Sequence, residues 1–272
     1  MHNRHVPLSF RAAFTLAFCF AIPASATTAY MITGAEQFGT INLSTGVFSS
    51  LGSTEVGGTA ETLEGLGEVD GVLYGAGGAD VDTLYSINTT DGALSSIGAA
   101  TSIEYADFGS TLTGLYAIST TDHLYSINPT NGIETQIGTG LLPGGGTSSL
   151  STGSNTLYLT AYSGTAYTLY TINTSTGAAT PVGPTGPSTG VPIGALMWDG
   201  ISTLYGGQDT PDPLYVDTLS TTAGTATESQ PLTGTSSNIY GFAPIPTTST
   251  PEPDTWSLMV AAMGILAFIK RR

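Results

Sequence analysis

His123, in Thr120-Thr121-Asp122-His123-Leu124, is the one imidazole between residue 27 and the C-terminus. A Ser–His–Asp arrangement would have this histidine alone as its base, and a histidine-rich metal site is excluded. Its place at the start of a strand reads as a solvated turn residue. No serine is read as the nucleophile of a strand-to-helix elbow. The many glycines have no Walker-type lysine after them, so they are not read as phosphate cradles. Carboxylates are the abundant reactive type. Asp80 and Asp82 in Gly-Gly-Ala-Asp-Val-Asp-Thr, and Asp209 and Asp212 in Gln-Asp-Thr-Pro-Asp-Pro, stand in loops ahead of a strand. Oxygen-rich loops of this kind could hold Ca²⁺, although neither matches a complete calcium-loop pattern, and solvated acidic turns would look the same. Pairs of Asp or Glu could also cleave a glycosidic bond, but spacing alone brings no two of them together. No cofactor is expected, and no residue is assigned as catalytic or as a metal ligand.

These residues are carried by a repeat. Phe-Gly-Thr-Ile-Asn-Leu-Ser-Thr-Gly begins at Phe38, Leu-Tyr-Ser-Ile-Asn-Thr-Thr-Asp-Gly at Leu84, and Leu-Tyr-Ser-Ile-Asn-Pro-Thr-Asn-Gly at Leu124. Leu-Tyr-Thr-Ile-Asn-Thr-Ser-Thr-Gly follows at Leu169, and a worn copy starts at Leu214. The aromatic and β-branched "LYSI" suits a strand. Asn88, Asn128 and Asn173 can each close an Asx turn on the backbone just ahead. Gly92, Gly132 and Gly177 fall where a hairpin loop needs positive φ. Each copy is therefore one hairpin, with a strand before it ("AYMI", "VLYG", "GLYA", "TLYL", "TLYG") and a further short strand before that.

Four strands per repeat of about 40 to 46 residues fit a β-propeller blade. The first copy lacks its opening strand, and an orphan strand near Asn238–Ile245 follows the last. Supplying the missing strand from the orphan closes five blades and removes an exposed edge. An open β-solenoid or a two-sheet sandwich is the alternative. The "LYxIN…TG…IG" line also resembles blade repeats of secreted bacterial propellers. Tyrosines at these regular positions are expected to pack between sheets, with sugar stacking as the other use.

Charge narrows the function further. The chain has 272 residues, 20 Asp and Glu, 5 Lys and Arg, and a net charge of −15. The five cations are Arg4, Arg11, Lys270, Arg271 and Arg272, so the body between the ends contains none. Nucleic-acid binding, phosphoryl transfer with a cationic clamp and basic-patch membrane binding all lack their cations. Neutral ligands, divalent cations and cationic partners remain.

The ends read as addresses. Arg4 and Arg11, the apolar stretch from Ala12 to Ile22 and the small-residue site Ala24-Ser25-Ala26 form a signal peptide over 1–26. Cleavage after Ala26 discards Cys19, the only cysteine, so the mature chain carries no disulfide. At the other end, Pro251-Glu252-Pro253 precedes an apolar run from Trp256 to Ile269 and then Lys270-Arg271-Arg272. As a helix this run spans about 21 Å, short of a bilayer core of about 30 Å. It therefore suits a transient span with its cations held at the cytoplasmic face.

Taken together, residues 251–272 resemble a PEP-CTERM sorting signal; a plain tail anchor is the competing interpretation. The resemblance implies handling by the secretory translocon and signal peptidase, recognition of Pro251, Glu252 and Pro253 by an exosortase, and a host that makes exopolysaccharide. The expected organisation is a signal helix at 1–26, an all-β propeller at 27–246, a linker at 247–250 and the sorting segment with its short hydrophobic helix at 251–272. The expected location runs from an inner-membrane-tethered intermediate to the envelope surface or outside. The expected role is a non-enzymatic surface or matrix protein, with a glycan hydrolase or lyase and a ligand-free spacer as alternatives.

Overall fold

A computed structural model describes residues 28–77, 82–143, 149–187, 190–209 and 213–246. The signal segment, the linker and the sorting segment lie outside the described residues, as do Ala24, Ala26, Asp80, Asp212, Pro251, Glu252 and Pro253. Among the described residues every regular element is a strand. The first group contains β1 (Thr28–Thr33), β2 (Gln37–Asn42) and β3 (Val47–Ser53), followed by a small hairpin of β4 (Glu55–Val56) and β5 (Thr59–Ala60). The second contains β6 (Leu63–Val69), β7 (Val72–Gly77), β8 (Thr83–Ile87) and β9 (Leu94–Ile97). The third contains β10 (Tyr105–Thr111), β11 (Gly114–Ser119), β12 (Leu124–Ile127) and β13 (Glu134–Gln136). The fourth contains β14 (Ser149–Thr152), β15 (Leu157–Tyr162), β16 (Tyr167–Ile172) and β17 (Ala179–Pro184). The fifth contains β18 (Ile193–Trp198), β19 (Leu204–Gln208), β20 (Tyr215–Leu219) and β21 (Ala226–Pro231). The last strand, β22 (Ile239–Pro244), pairs antiparallel with β1 and completes the first group in the order β22-β1-β2-β3.

This is an all-β, β-propeller-like repeat fold. Within each group the strands form an antiparallel meander, and groups join through their inner strands. β6 and β10 pair in parallel at Gly65 and Phe108, and β14 and β18 pair in parallel at Ser151–Leu196 and Thr152–Met197. Inner strands stand beside one another in the order β6, β10, β14, β18, β22, and β22 lies beside β6 again. The core is divided among the junctions. Ile32 and Phe38 of the first group pack with Leu63, Leu66 and Leu73 of the second. Tyr74 and Ala76 meet Phe108 and Leu115 across the next junction, and Ile118 and Leu124 meet Leu157 and Tyr170 across the one after. Leu169 packs on Ile193 and Leu204, and Met31 and Phe48 pack on Met197 and Val216.

The repeated turn forms as its residues dictate. Asn88 Oδ1 accepts the Thr90 N–H at 3.1 Å and its hydroxyl at 2.8 Å. Asn128 does the same for Thr130 at 2.9 and 2.8 Å, and Asn173 accepts Ser175 and Thr176 N–H groups. The closing glycines have φ of +84° at Gly92, +71° at Gly132 and +73° at Gly177.

A second glycine in each copy, the one after Ile97, Ile137 or Val182, has a different job. A methyl on Gly98 would lie 2.0 Å from the Asn131 carbonyl oxygen of the next group, and one on Gly132 would lie 2.6 Å from the Ile97 oxygen. The two backbones are thus in direct contact. The same pairing recurs at Gly52 with Gly92, Gly138 with Gly177 and Gly183 with Gly224, and Gly46 makes it against Pro231 of the fifth group.

Gly98→Ala meets both an unfavourable φ of +76° and this carbonyl, so it should cost roughly 2–4 kcal/mol. Gly164→Ala is the control. Its φ is +86° but nothing lies within 4 Å of the added methyl, so about 1 kcal/mol is expected. Urea unfolding midpoints of the two variants check the difference. Equal losses would show that the contact between groups contributes nothing.

Candidate functional site

Inner strands that run the same way bring their first residues to one mouth of the ring. Glu64 is the second residue of β6, Asp107 the third of β10, and Glu104 immediately precedes β10. Asp82 enters from the β7–β8 link. Nothing in the linear order places these carboxylates together, because they belong to two repeats and span residues 64 to 107. A usable signal existed in the acidic residues at the entry of two successive inner strands.

Burial without a cation governs their behaviour. Asp107 is fully enclosed; Phe108 N–H donates to its Oδ1 at 2.6 Å and Leu150 N–H to its Oδ2 at 2.6 Å. Desolvation nonetheless pushes its carboxyl well above the usual range, against the pull of those N–H groups and with help from Glu64. Glu64 is pushed up to about 7 by desolvation first, then by Asp82 and Glu104. Asp82 is raised by desolvation, opposed by the Tyr105 N–H and assisted by Glu104. Tyr105 donates its hydroxyl to Glu134 Oε1 at 2.7 Å, and burial followed by that bond raises its phenol. Tyr240, on β22, is raised by desolvation and then by Asp209, Glu64 and Glu36. At this mouth Glu64, Asp82 and Asp107 are all raised above the ordinary carboxyl range, Glu64 to about 7.

Several expectations change here. Asp82 is not a solvated loop carboxylate: it is buried and accepts the Tyr105 N–H, tying the β7–β8 link to β10. Asp209 sits beside Gly194, at the start of β18. Among the described residues no three His, Cys, Asp or Glu side chains are arranged to hold a metal ion. His123 lies in the β11–β12 turn, half-buried; its backbone N–H donates to Ser119 Oγ at 3.2 Å and its Nδ1 lies 3.3 Å from Thr121 Oγ1. A Gly-x-Ser-x-Gly spacing does occur, at Gly186 to Gly190, but it joins β17 to β18, strand to strand, and the elbow needs a helix after the turn. Tyr74, Tyr85 and Tyr170 are buried, and Tyr30, Tyr116, Tyr158 and Tyr205 pack half-buried against the core clusters.

No protein-family model matches the chain, and no curated protein matches it in sequence. Among solved structures, TolB from Acinetobacter baumannii aligns over 77% of this chain at 10% identity with a TM-score of 0.49. A chain of the nidogen/laminin complex aligns over 79% of this chain and 97% of its own, at 11% identity with a TM-score of 0.47. BamB from Moraxella catarrhalis aligns over 75% of this chain and 66% of its own, at 12% identity with a TM-score of 0.38. The chain spans about half the length of the TolB it matches, 54%.

The raised carboxyls set a pH dependence. Glu64 keeps its proton in the folded state up to about 7, whereas its ordinary value is 4.5. Its contribution to stability is therefore complete below pH 4.5 and is lost as pH rises through about 7. Thermal midpoints should fall between pH 5 and 8, and Glu64→Gln should flatten that slope by raising the midpoint at pH 8 far more than at pH 5. A slope unchanged by the substitution would remove Glu64 as its source.

Proposed function

We propose that the body is a closed five-bladed propeller, and that the chain is an exported, C-terminally sorted, non-enzymatic module of the cell surface or extracellular matrix. It associates with exopolysaccharide through the mouth at which the inner strands begin. One observation carries the reading: the strand that completes the first group, β22, is also the last before the Pro-Glu-Pro segment. Five groups, five shared core clusters and glycine contacts at successive junctions support closure. The signal segment, the cation-free body and the ordered features of residues 251–272 support export and sorting.

Replacing Pro251, Glu252 and Pro253 together with alanine should trap an unprocessed, membrane-held chain, visible by fractionation as loss of the released form. Unchanged release removes the exosortase assignment.

A second reading has its own observation. Glu64 at about 7, amid Asp82, Glu104 and Asp107, is tuned for proton donation at neutral pH. On that reading the mouth is the active site of a glycan hydrolase or lyase. Presenting the body, residues 27–250, with a panel of neutral and acidic polysaccharides, with and without Ca²⁺, separates the two. Retention without cleavage supports the binding module. Release of new chain ends that Glu64→Gln abolishes supports the enzyme, and neither outcome leaves a spacer.

A further inference from the structure

Turns β6–β7, β10–β11, β14–β15 and β18–β19 rim the mouth where the inner strands end, and Pro244–Pro246 lie among them. The rim is one connected surface. Leu112 N–H donates to the Ser154 carbonyl at 3.1 Å, and Glu68, Leu112, Gly153, Asp199 and Pro244 share one cavity of about 160 Å³. Val72, Leu112 and Ile201 stand at or next to three of these turns and are 41, 47 and 51% exposed. Polar residues with Gly, Asn, Asp and Ser are the ordinary occupants of such tips.

The chain leaves the body through this same rim. Nine residues, 247–255, separate Pro246 from the apolar run that begins at Trp256. Fully extended, nine residues reach about 30 Å. A tail inserted in a bilayer therefore keeps this rim, and not the acidic mouth, close to the lipid.

We propose that Val72, Leu112 and Ile201 seat this rim in the interface of a zwitterionic bilayer while the C-terminal tail is inserted. The proposal rests on the sorting reading given above. Three half-exposed side chains bury too little apolar area to hold a free body on lipid. The tether makes their insertion an intramolecular event at high effective concentration. Charge selects the lipid. The rim carries Glu68, exposed Asp70 and buried Asp199 with no Lys or Arg, so an anionic surface repels it. Seated this way, the ring turns the Glu64–Asp107 mouth outward to solvent.

The mature chain has no cysteine once Cys19 is removed with the leader, so Leu112→Cys gives a single thiol for an environment-sensitive fluorophore. Thr121→Cys, in the β11–β12 turn at the opposite mouth, is the companion. Both mature chains, residues 27–272, are reconstituted into phosphatidylcholine vesicles and floated on a gradient. The label at 112 should shift to the blue and be quenched from within the bilayer, while the label at 121 should report water. Adding Val72→Ser and Ile201→Ser, or replacing half the lipid with phosphatidylglycerol, should reduce the shift at 112. A chain that floats with both labels in water overturns the proposal and leaves the tether standing. A chain that does not float overturns the tether and the proposal with it.

Discussion

Direct backbone contact between neighbouring strand groups is the constraint on which the rest of the molecule depends. With no Lys or Arg in the body, no Lys– or Arg–carboxylate ion pair can link one group to the next, and the one cysteine precedes the body. Neighbouring groups are joined by hydrogen bonds such as Leu150 N–H to Asp107 and by two further means, shared apolar side chains and close approach of main chains. Both are used at the same junctions. The turn closed by Gly132 rests on the end of β9, where Gly98 receives it, while Tyr74 and Leu84 share a cluster with Phe108 and Leu115. Inner strands obey the same rule, since a methyl on Gly65 would lie 2.1 Å from the Phe108 oxygen and one on Gly241 would lie 2.8 Å from the Leu66 nitrogen. A narrow ring of inner strands requires glycine where one strand faces the next.

Lacking cations, the fold draws the donors to its buried carboxylates from the backbone or an amide, and their number sets the direction in which each carboxyl shifts. Asp199 Oδ1 accepts N–H groups from Ile201, Ser202 and Thr203 at 2.8–2.9 Å. Burial alone would raise this carboxyl, but the three N–H groups outweigh it and hold it below its ordinary value. Asp107 has two N–H donors, full burial and a carboxylate neighbour, and it shifts the other way. Asp217 has only the Gln208 amide, at 3.0 Å to Oδ2, and desolvation with Glu228 nearby pushes it up to about 6. One residue type is thus held below its ordinary range at a turn and raised above it where donors are fewer.

How much of this could be read beforehand follows from where each determinant lies. The Asx turns at Asn88, Asn128 and Asn173 are local, so six or seven letters suffice to specify them, and the strands before them follow by alternation. The closing role of β22 was legible because one strand was missing at the start and one was spare at the end. Gly98 and its counterparts were legible as positions but not as contacts, because the atom that excludes a side chain belongs to the following repeat. The β4–β5 hairpin was missed although Glu-Val-Gly-Gly-Thr-Ala is a fair two-glycine turn, with φ of +60° and +87° at Gly57 and Gly58. It interrupts the repeat and occurs once, so the period carries no sign of it. The Glu64 cluster was hidden for the same reason as Gly98: its members meet only when two repeats lie side by side.

Pairing of β22 with β1 also orders events along the chain. β1 emerges first and cannot finish its sheet until residues 239–244 are available, so the first group waits for all the others. On the sorting reading, the segment that β22 must reach from is already close to the bilayer, seven residues before Pro251. Folding and tethering then compete for the same short stretch of chain. On that reading, the nine residues 247–255 let β22 dock beside β1 and keep the body within about 30 Å of the lipid. On the same reading, anionic headgroups repel the acidic body, while Lys270, Arg271 and Arg272 hold the tail at the opposite face. On the proposed membrane seating, the balance between that repulsion and the apolar turn tips at Val72, Leu112 and Ile201 sets how closely the body approaches the lipid.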